Sequence, residues 1–422
     1  MSGFSISRNQ LAGAIVTSMF ALYVILLPRF TYSAKFMYVL LILTAFGYLA
    51  FNIRQIRQTS RLERAFFGVM IANFSWIVIT FYFSGQPSAS DSFIWNRHVY
   101  MLSLIPMFFL FRRYKISDQT LIILLVCSVA LSSADMVIAL AQGVDHRFKG
   151  MNPNGFGPIQ LCLAGTLFFY FLRIQQQWLR WLALAGAILG VINVILSLSK
   201  MTWISLVLLI VIFTLYLARS EPLWKKLIVI TALLILITSS YSIPMVNNRI
   251  TSAGANISAY FSCYDYRDAC RRSSFGTRAE LGRAAWYIFL ENPWTGVGVG
   301  AFRPLARENS ERYKVNDIVH KFNSVHNQYL MVLVSRGIPG LILFLLFITL
   351  PIYTAMKCKS HETDIGPAQL TVIFISLTYL IGGVAENYFE SKTAILFVSV
   401  YLALMLARIS PVEGVASQPG LP

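Results

Sequence analysis

The run Gly340-Leu-Ile-Leu-Phe-Leu-Leu-Phe-Ile-Thr-Leu-Pro-Ile-Tyr-Thr-Ala-Met-Lys357 decides the fold class of this chain. It carries no charge before its last residue. An α-helix rises about 1.5 Å per residue, so a run of roughly 20 residues crosses the hydrocarbon core of a bilayer, which is about 30 Å thick. The run therefore predicts a transmembrane helix.

Comparable apolar runs recur along the chain and predict about twelve transmembrane helices in one membrane domain over residues 1–422. Of the 422 residues, 56% are hydrophobic and only 13% are charged, which leaves too little polar surface for a water-soluble globule. We expect an all-α polytopic membrane protein. The predicted spans are 9–28, 36–53, 65–84, 96–112, 119–141, 155–174, 181–198, 201–218, 226–245, 340–357, 367–386 and 391–408.

Basic residues cluster in alternate links between these spans. The net charge of +17 is therefore explained by basic residues that set the membrane topology, and it does not indicate a nucleic-acid-binding groove. With both termini in the cytoplasm, every even-numbered link is cytoplasmic and basic. These links contain Arg54, Arg57, Arg61 and Arg64; Arg112, Arg113 and Lys115; Arg173 and Arg180; Arg219, Lys225 and Lys226; Lys357 and Lys359.

One long link, Val246 to Val325, lies between the ninth and tenth predicted spans and should face the outer side. A loop of this length inside a compact chain is more often functional than idle. Cys263 and Cys270 lie in it, and they are either a disulfide, if the compartment is oxidising, or two unpaired thiols. No CxxC or Cys/His metal spacing occurs in the sequence, so we expect no metal site.

A helix start is predicted inside this loop. Thr277 and Glu280 have the spacing of a capping box, and Asn292-Pro293 should end the helix near Glu291. Arg278 would then lie in the first turn, where the free amides and the helix dipole favour a bound phosphate. The alternative is a solvated arginine.

The end of the loop contains a candidate general base. In Val325-His-Asn-Gln-Tyr-Leu330, helical spacing begins after His326, which should stand at the outer membrane interface. A neutral imidazole there can take a proton from a hydroxyl near neutral pH. The alternative is a histidine that is only hydrogen-bonded at a helix start.

Several outer-face cations could add to a pyrophosphate site, or could instead serve lipid headgroups. They are Arg97 and His98 at the fourth span, Arg147 and Lys149 before Asn152-Pro-Asn154, and Lys200. The glycine-spaced stretch Trp294-Thr-Gly-Val-Gly-Val-Gly-Ala-Phe302 follows no predicted strand, so we expect it to allow close backbone approach to a helix or ligand rather than to bind a dinucleotide.

Three groups of residues resemble the O-antigen ligase and polymerase superfamily of bacterial inner-membrane glycosyltransferases. The resemblance covers roughly 190–345. It rests on Ser197-Leu-Ser-Lys-Met-Thr-Trp203, on Thr277-Arg-Ala-Glu-Leu-Gly-Arg-Ala-Ala-Trp286 with Glu291-Asn-Pro-Trp-Thr-Gly-Val-Gly298, and on Val325-His-Asn-Gln-Tyr-Leu330 with Arg336-Gly-Ile-Pro-Gly340.

The resemblance implies an inverting, metal-independent enzyme of the GT-C type with its active site on the periplasmic face and no cofactor. Its ligase members move a glycan from undecaprenyl pyrophosphate to a sugar of the lipid A core. By position, His326 matches the proposed general base and Arg278 matches an arginine that would contact the pyrophosphate. Lys200 stands where many members have arginine, so a bidentate phosphate contact is not expected there.

Further residues complete the predicted site. Asn154, Asn327 and Tyr329 are candidate substrate-binding residues, and Glu386 would orient His326 or an arginine, or would be a simple helix-end charge. The alternative functions are O-antigen polymerase and protein oligosaccharyltransferase with the same donor. A secondary transporter is disfavoured, because no pair of intramembrane acids is evident in the sequence.

Overall fold

The computed structural model describes residues 7–27, 31–83, 92–142, 152–217, 222–224, scattered positions from 227 to 242, 244–358 and 365–410. All regular structure in these ranges is helical. The predicted all-α membrane fold is thereby confirmed. The fifteen α-helices described are α1 (Arg8–Leu26), α2 (Thr31–Phe51), α3 (Arg61–Phe83), α4 (Ser92–Leu102), α5 (Leu104–Arg113), α6 (Asp118–Ala141), α7 (Pro153–Arg173), α8 (Gln177–Leu196), α9 (Lys200–Leu217), α10 (Pro244–Phe261), α11 (Ser274–Glu291), α12 (Phe302–Glu308), α13 (Gln328–Lys357), α14 (Pro367–Gly382) and α15 (Lys392–Ile409).

Eight of the described helices are long and apolar enough to cross a membrane: α1, α2, α3, α6, α7, α8, α13 and α15. The shorter apolar helices α9 and α14 correspond to the eighth and eleventh predicted spans. The fourth predicted span is divided at Ser103 into α4 and α5. Most of the ninth, 226–245, lies outside the described residues.

Helices α7 and α15 are the most deeply buried of these spans, because the other helices pack around them. Small residues let the backbones approach closely. A Cβ on Gly190 of α8 would lie 2.8 Å from the Cβ of Ala164 on α7, and one on Gly165 would overlap the ring of Phe374. Lipid tails are as apolar as the helix side chains, so the hydrophobic effect does not drive helices together in a bilayer. Close van der Waals packing of this kind stabilises the helix pairs instead.

The segment between α9 and α13, here called the outer segment after the location predicted from the sequence, has a small apolar core of its own. Its buried side chains come from α11, α12 and the following 3-10 helix (Asp317–Lys321), and they pack against the first turns of α13. The members include Leu281, Ala284, Ile288, Phe302, Val319, Val325, Met331 and Val334. The outer segment is therefore docked on the membrane helix that follows it. The structure also joins Cys263 and Cys270 in a disulfide with a Cα separation of 6.2 Å.

The predicted capping box at Thr277 is wrong. Helix α11 begins one turn earlier, with Ser273 as its N-cap accepting from the Gly276 amide, and it ends at Glu291 as expected. Glu280 is fully buried, and its carboxylate contacts Arg271 at 2.7 Å and Arg283 at 3.1 Å. The Glu280 carboxylate therefore pairs with two arginines and does not cap the start of the helix. An unpaired charge buried away from water would be costly.

A break in α13 connects the outer segment to the membrane domain. Gly337 has φ +65° inside the helix, and Pro339 has no amide hydrogen, so the carbonyls of Val334 and Ser335 lose their helical donors. They accept instead from Val297 at 2.8 Å and Gly298 at 3.1 Å. The glycine-spaced stretch thus passes against a helix backbone, as the sequence predicted.

This close approach predicts that Gly337→Ala destabilises the protein. A Cβ there would lie 2.2 Å from the Trp294 carbonyl oxygen, and the left-handed φ adds strain. We expect a loss of at least about 1–3 kcal/mol, measured by thermal unfolding in detergent. Gly47→Ala is the matched control, because nothing lies within 4 Å of its Cβ position. Equal midpoints for the two variants would contradict the packing described.

Candidate active site

Glu386 lies at the centre of a polar cluster at one end of the helical domain, in the link between α14 and α15. Its side chain is only 8% exposed. Oε1 accepts hydrogen bonds from Asn154 Nδ2 at 2.6 Å and from Arg278 Nη2 at 2.7 Å. Oε2 lies 3.4 Å from His326 Nδ1. One carboxylate therefore joins three side chains that are far apart in the sequence.

Asn154 reaches this carboxylate from the first turn of α7. Asn152 caps the helix, accepting from the Asn154 amide, and Pro153 is its first residue, where the missing N–H costs nothing. The Asn154 side-chain oxygen accepts from the Ser199 hydroxyl at 3.0 Å. The amide thus bridges Glu386 to the turn between α8 and α9.

That turn, Ser197 to Ser199, is tight. Leu198 has φ +54°, a conformation that side chains other than glycine rarely adopt. A Cβ on Gly157 of α7 would lie 2.6 Å from the Thr202 hydroxyl and 3.1 Å from the Ser197 hydroxyl, so α7 contacts both the turn and the start of α9. Lys200 follows as the first residue of α9. Its backbone is therefore next to the hydroxyl that supports Asn154.

His326 lies two residues before the first residue of α13 and has φ +56°. The next residue, Asn327, caps the helix by accepting from the Leu330 amide, and its Nδ2 donates to the Val384 carbonyl at 2.8 Å. The Gln328 amide donates to the Gly383 carbonyl at 2.8 Å. These bonds hold the histidine in a strained backbone conformation beside the link that carries Glu386.

The geometry defines what the imidazole can do. When His326 Nδ1 carries the proton it donates to Glu386, and Nε2 is left as an acceptor. None of the described residues hydrogen-bonds Nε2, and the side chain is 28% exposed. In that tautomer the ring therefore offers an acceptor nitrogen to an incoming hydroxyl.

Arg278 offers cationic donors beside that nitrogen. It lies in the second turn of α11, because the helix starts earlier than predicted, and its side chain is 37% exposed. One terminal nitrogen binds Glu386. A guanidinium has five N–H donors, so the others can bind an anion at the same time. The sequence placed Arg278 in the first turn, where the free amides could share an anion with it. In the structure Arg278 lies beyond those amides, so the helix N-terminus is not assigned to the anion site.

The other predicted site residues divide into three groups. Asn327 and Tyr329 anchor α13, the tyrosine hydroxyl donating to the Leu380 carbonyl. Arg97 donates to the Glu390 carbonyl at 2.7 Å, away from the Glu386 contacts. Arg147 and Lys149 lie outside the described residues.

A second buried cluster, around Glu390, was not predicted as a unit. His98 Nε2 and Arg336 Nη2 lie 3.5 and 3.9 Å from Glu390 Oε1, and both side chains are almost fully buried. Burial alone would raise the pKa of Glu390, but His98, Arg336 and Arg97 together hold it below its ordinary value. The sequence signal was present in Arg336-Gly-Ile-Pro-Gly340 and in His98, but nothing local connected them.

Comparisons with known proteins identify the superfamily that this chain resembles. Residues 185–345 match the family model described as O-antigen ligase, which confirms the resemblance to that superfamily. An uncharacterized protein of Haemophilus influenzae is 24% identical over 322 residues, which cover 73% of this chain and 77% of the relative. The family match indicates a function of the O-antigen ligase or polymerase type in a multi-pass membrane protein, with lipid-linked glycan and lipid acceptor substrates in general.

Proposed function

We propose, from the O-antigen ligase match over residues 185–345, that this chain is an O-antigen ligase of the bacterial inner membrane. It would transfer a glycan from undecaprenyl pyrophosphate to a sugar hydroxyl of the lipid A core on the periplasmic face. The observation that carries the proposal is the convergence of Arg278 and His326 on Glu386. A cation and a base held side by side are the two groups that this transfer requires.

The reaction is a direct displacement. The acceptor hydroxyl attacks the anomeric carbon of the donor, and its proton passes to His326 Nε2. The bond from that carbon to the pyrophosphate oxygen breaks, and undecaprenyl pyrophosphate leaves with the bonding electrons. Attack from the face opposite the leaving group inverts the anomeric carbon.

Charge builds on the pyrophosphate oxygens as the bond breaks, and Arg278 supplies donors to them. Lys200 would add a compact ammonium charge, and Arg147, Lys149 and Arg97 are retained as candidate cations for the phosphates. No nucleotide and no metal is assigned a step. The donor is already activated, since a lipid pyrophosphate is a good leaving group.

Glu386 acts as a positioning residue. Its carboxylate fixes which histidine nitrogen carries the proton and keeps the guanidinium beside the imidazole. Asn154 holds the other side of the same carboxylate. In this arrangement His326 is the base and Glu386 is the group that orients it, as is common where a catalytic base needs a fixed tautomer.

His326→Ala should reduce glycan transfer by roughly 100- to 10,000-fold, the usual contribution of a general base. The measurement is transfer from purified undecaprenyl-pyrophosphate glycan to a core acceptor, with folding checked by gel filtration in detergent. His320→Ala is the matched control, because His320 lies in the same outer segment, in the 3-10 helix after α12. Transfer at the normal rate by the His326 variant would refute the mechanism.

Arg278→Ala should weaken engagement of the donor more than that of the acceptor, because the guanidinium is assigned to the pyrophosphate. The donor KM and the transfer rate are measured against donor concentration at saturating acceptor. Arg272→Ala is the control, since that arginine pairs with Asp317 on the exposed part of the outer segment. An unchanged response to donor concentration in the Arg278 variant would remove this residue from the pyrophosphate site.

The family match also covers polymerase-type function, so O-antigen polymerase is the second candidate, and a protein oligosaccharyltransferase is a third. A strain lacking this chain separates the first two. A missing ligase leaves long polymer on the carrier lipid and bare lipid A core. A missing polymerase leaves core capped with a single repeat. Only the first outcome agrees with the ligase proposal.

A further inference from the structure

We propose that the buried network of Glu390, Arg336 and His98 positions Glu386, and through it Arg278 and His326, for glycan transfer. This inference rests on the proposed function of the Glu386 cluster. The three residues make no direct contact with that cluster in the described part of the chain. They would act as positioning residues by holding the two segments that carry it.

One of these segments is the link from Gly383 to Ser391. It carries two acidic side chains, Glu386 and Glu390, which face different partners. Glu386 contacts Arg278 and His326, whereas Glu390 contacts His98 of α4 and Arg336 of α13. A displacement of the link at Glu390 would therefore move Glu386 as well.

The other segment is the outer part of α13, from Gln328 to Arg336, which begins just after His326. Arg336 is 1% exposed, and its Nη2 lies 3.3 Å from His98 Nε2 as well as 3.9 Å from Glu390. Its carbonyl accepts from Trp76 Nε1 at 2.8 Å. The first part of α13 is thus held at Arg336 by the buried network and at Gln328 by the backbone contacts next to His326.

Between its two acids the link carries Tyr388 and Phe389, which are both 3% exposed and pack against Tyr379. Gln328 binds it on either side, through the Gly383 carbonyl and through the Phe389 amide, which donates to Gln328 Oε1 at 2.9 Å. The side-chain nitrogen and oxygen of Asn387 are buried and have no hydrogen-bond partner among the described residues. The path of the link past Glu386 therefore depends on this aromatic packing together with the contacts that hold its end at Glu390.

The free-energy cost of removing the Glu390 charge favours a positioning role for this network. Arg336 is buried, so removing the Glu390 charge would leave a guanidinium without its carboxylate, and the structure would have to rearrange around it. A displacement of about 1 Å at a reacting group can cost a factor of about 100 in rate. His326 and Glu386 are already 3.4 Å apart, so little further separation is needed to lose their contact.

A double-mutant cycle tests this coupling in the purified full-length protein. The turnover number kcat and the donor KM are measured for Glu390→Gln, Glu386→Gln and the double variant. We expect Glu390→Gln to lower kcat by roughly tenfold or more and also to raise the donor KM, because both His326 and Arg278 depend on Glu386. The double variant should be no slower than Glu386→Gln alone, because Glu390 acts through Glu386.

Glu63→Gln is the matched control. Glu63 is also a buried glutamate, 6% exposed, with Arg112 at 3.9 Å, but it lies in the first turn of α3 among the basic residues of a predicted cytoplasmic link. Its effect should multiply with that of Glu386→Gln, as for independent sites. If Glu390→Gln behaves in the same multiplicative way, its role is only structural and the inference is overturned.

Two further outcomes are distinguished. If Glu390→Gln does not fold, the same cycle is run with His98→Gln, which retains hydrogen-bonding capacity at the edge of the network; a multiplicative effect there overturns the inference equally. If the wild-type protein transfers no glycan in this assay, the proposed function itself fails. Transfer by the wild type combined with multiplicative losses contradicts the positioning role alone.

Discussion

A carboxylate buried at the end of a helical membrane domain must be matched by cations and donors, and Glu386 and Glu390 impose this constraint on the structure. Removing an ionised group from water costs several kcal/mol unless partners replace the water. The Glu386 carboxylate contacts the side chains of Asn154, Arg278 and His326. Because these partners belong to α7, α11 and the turn before α13, one buried charge joins three parts of the chain at the same end of the helical domain.

The same principle explains how the outer segment is organised. Glu280 is fully buried and holds Arg271 and Arg283, while its other oxygen accepts from the Asn316 amide at 2.8 Å. This network ties α11 to the chain that leads towards His326. The break at Gly337 then joins the segment to α13 through backbone hydrogen bonds. The segment from Val246 to Val325 is therefore better described as a packed unit with its own core than as a loop.

Local sequence rules succeeded where the deciding forces were local. The end of α11 at Glu291 and the close approach of the glycine-spaced stretch both follow from backbone chemistry within a few residues. The capping box at Thr277 failed because Glu280 satisfies a tertiary demand. The cluster at Glu390 was missed because its members were each ordinary in their local context.

The sequence by itself determined that the chain is helical and membrane-spanning, because hydrophobicity and length are properties of each run alone. It also singled out Arg278, His326 and Glu386 as residues worth testing. Only the tertiary structure decided that they meet, since the arginine and the glutamate are 108 positions apart and no periodicity relates them. It also decided the start of α11 and the pairing of Arg336 with Glu390, because buried charges choose their partners in space rather than along the chain.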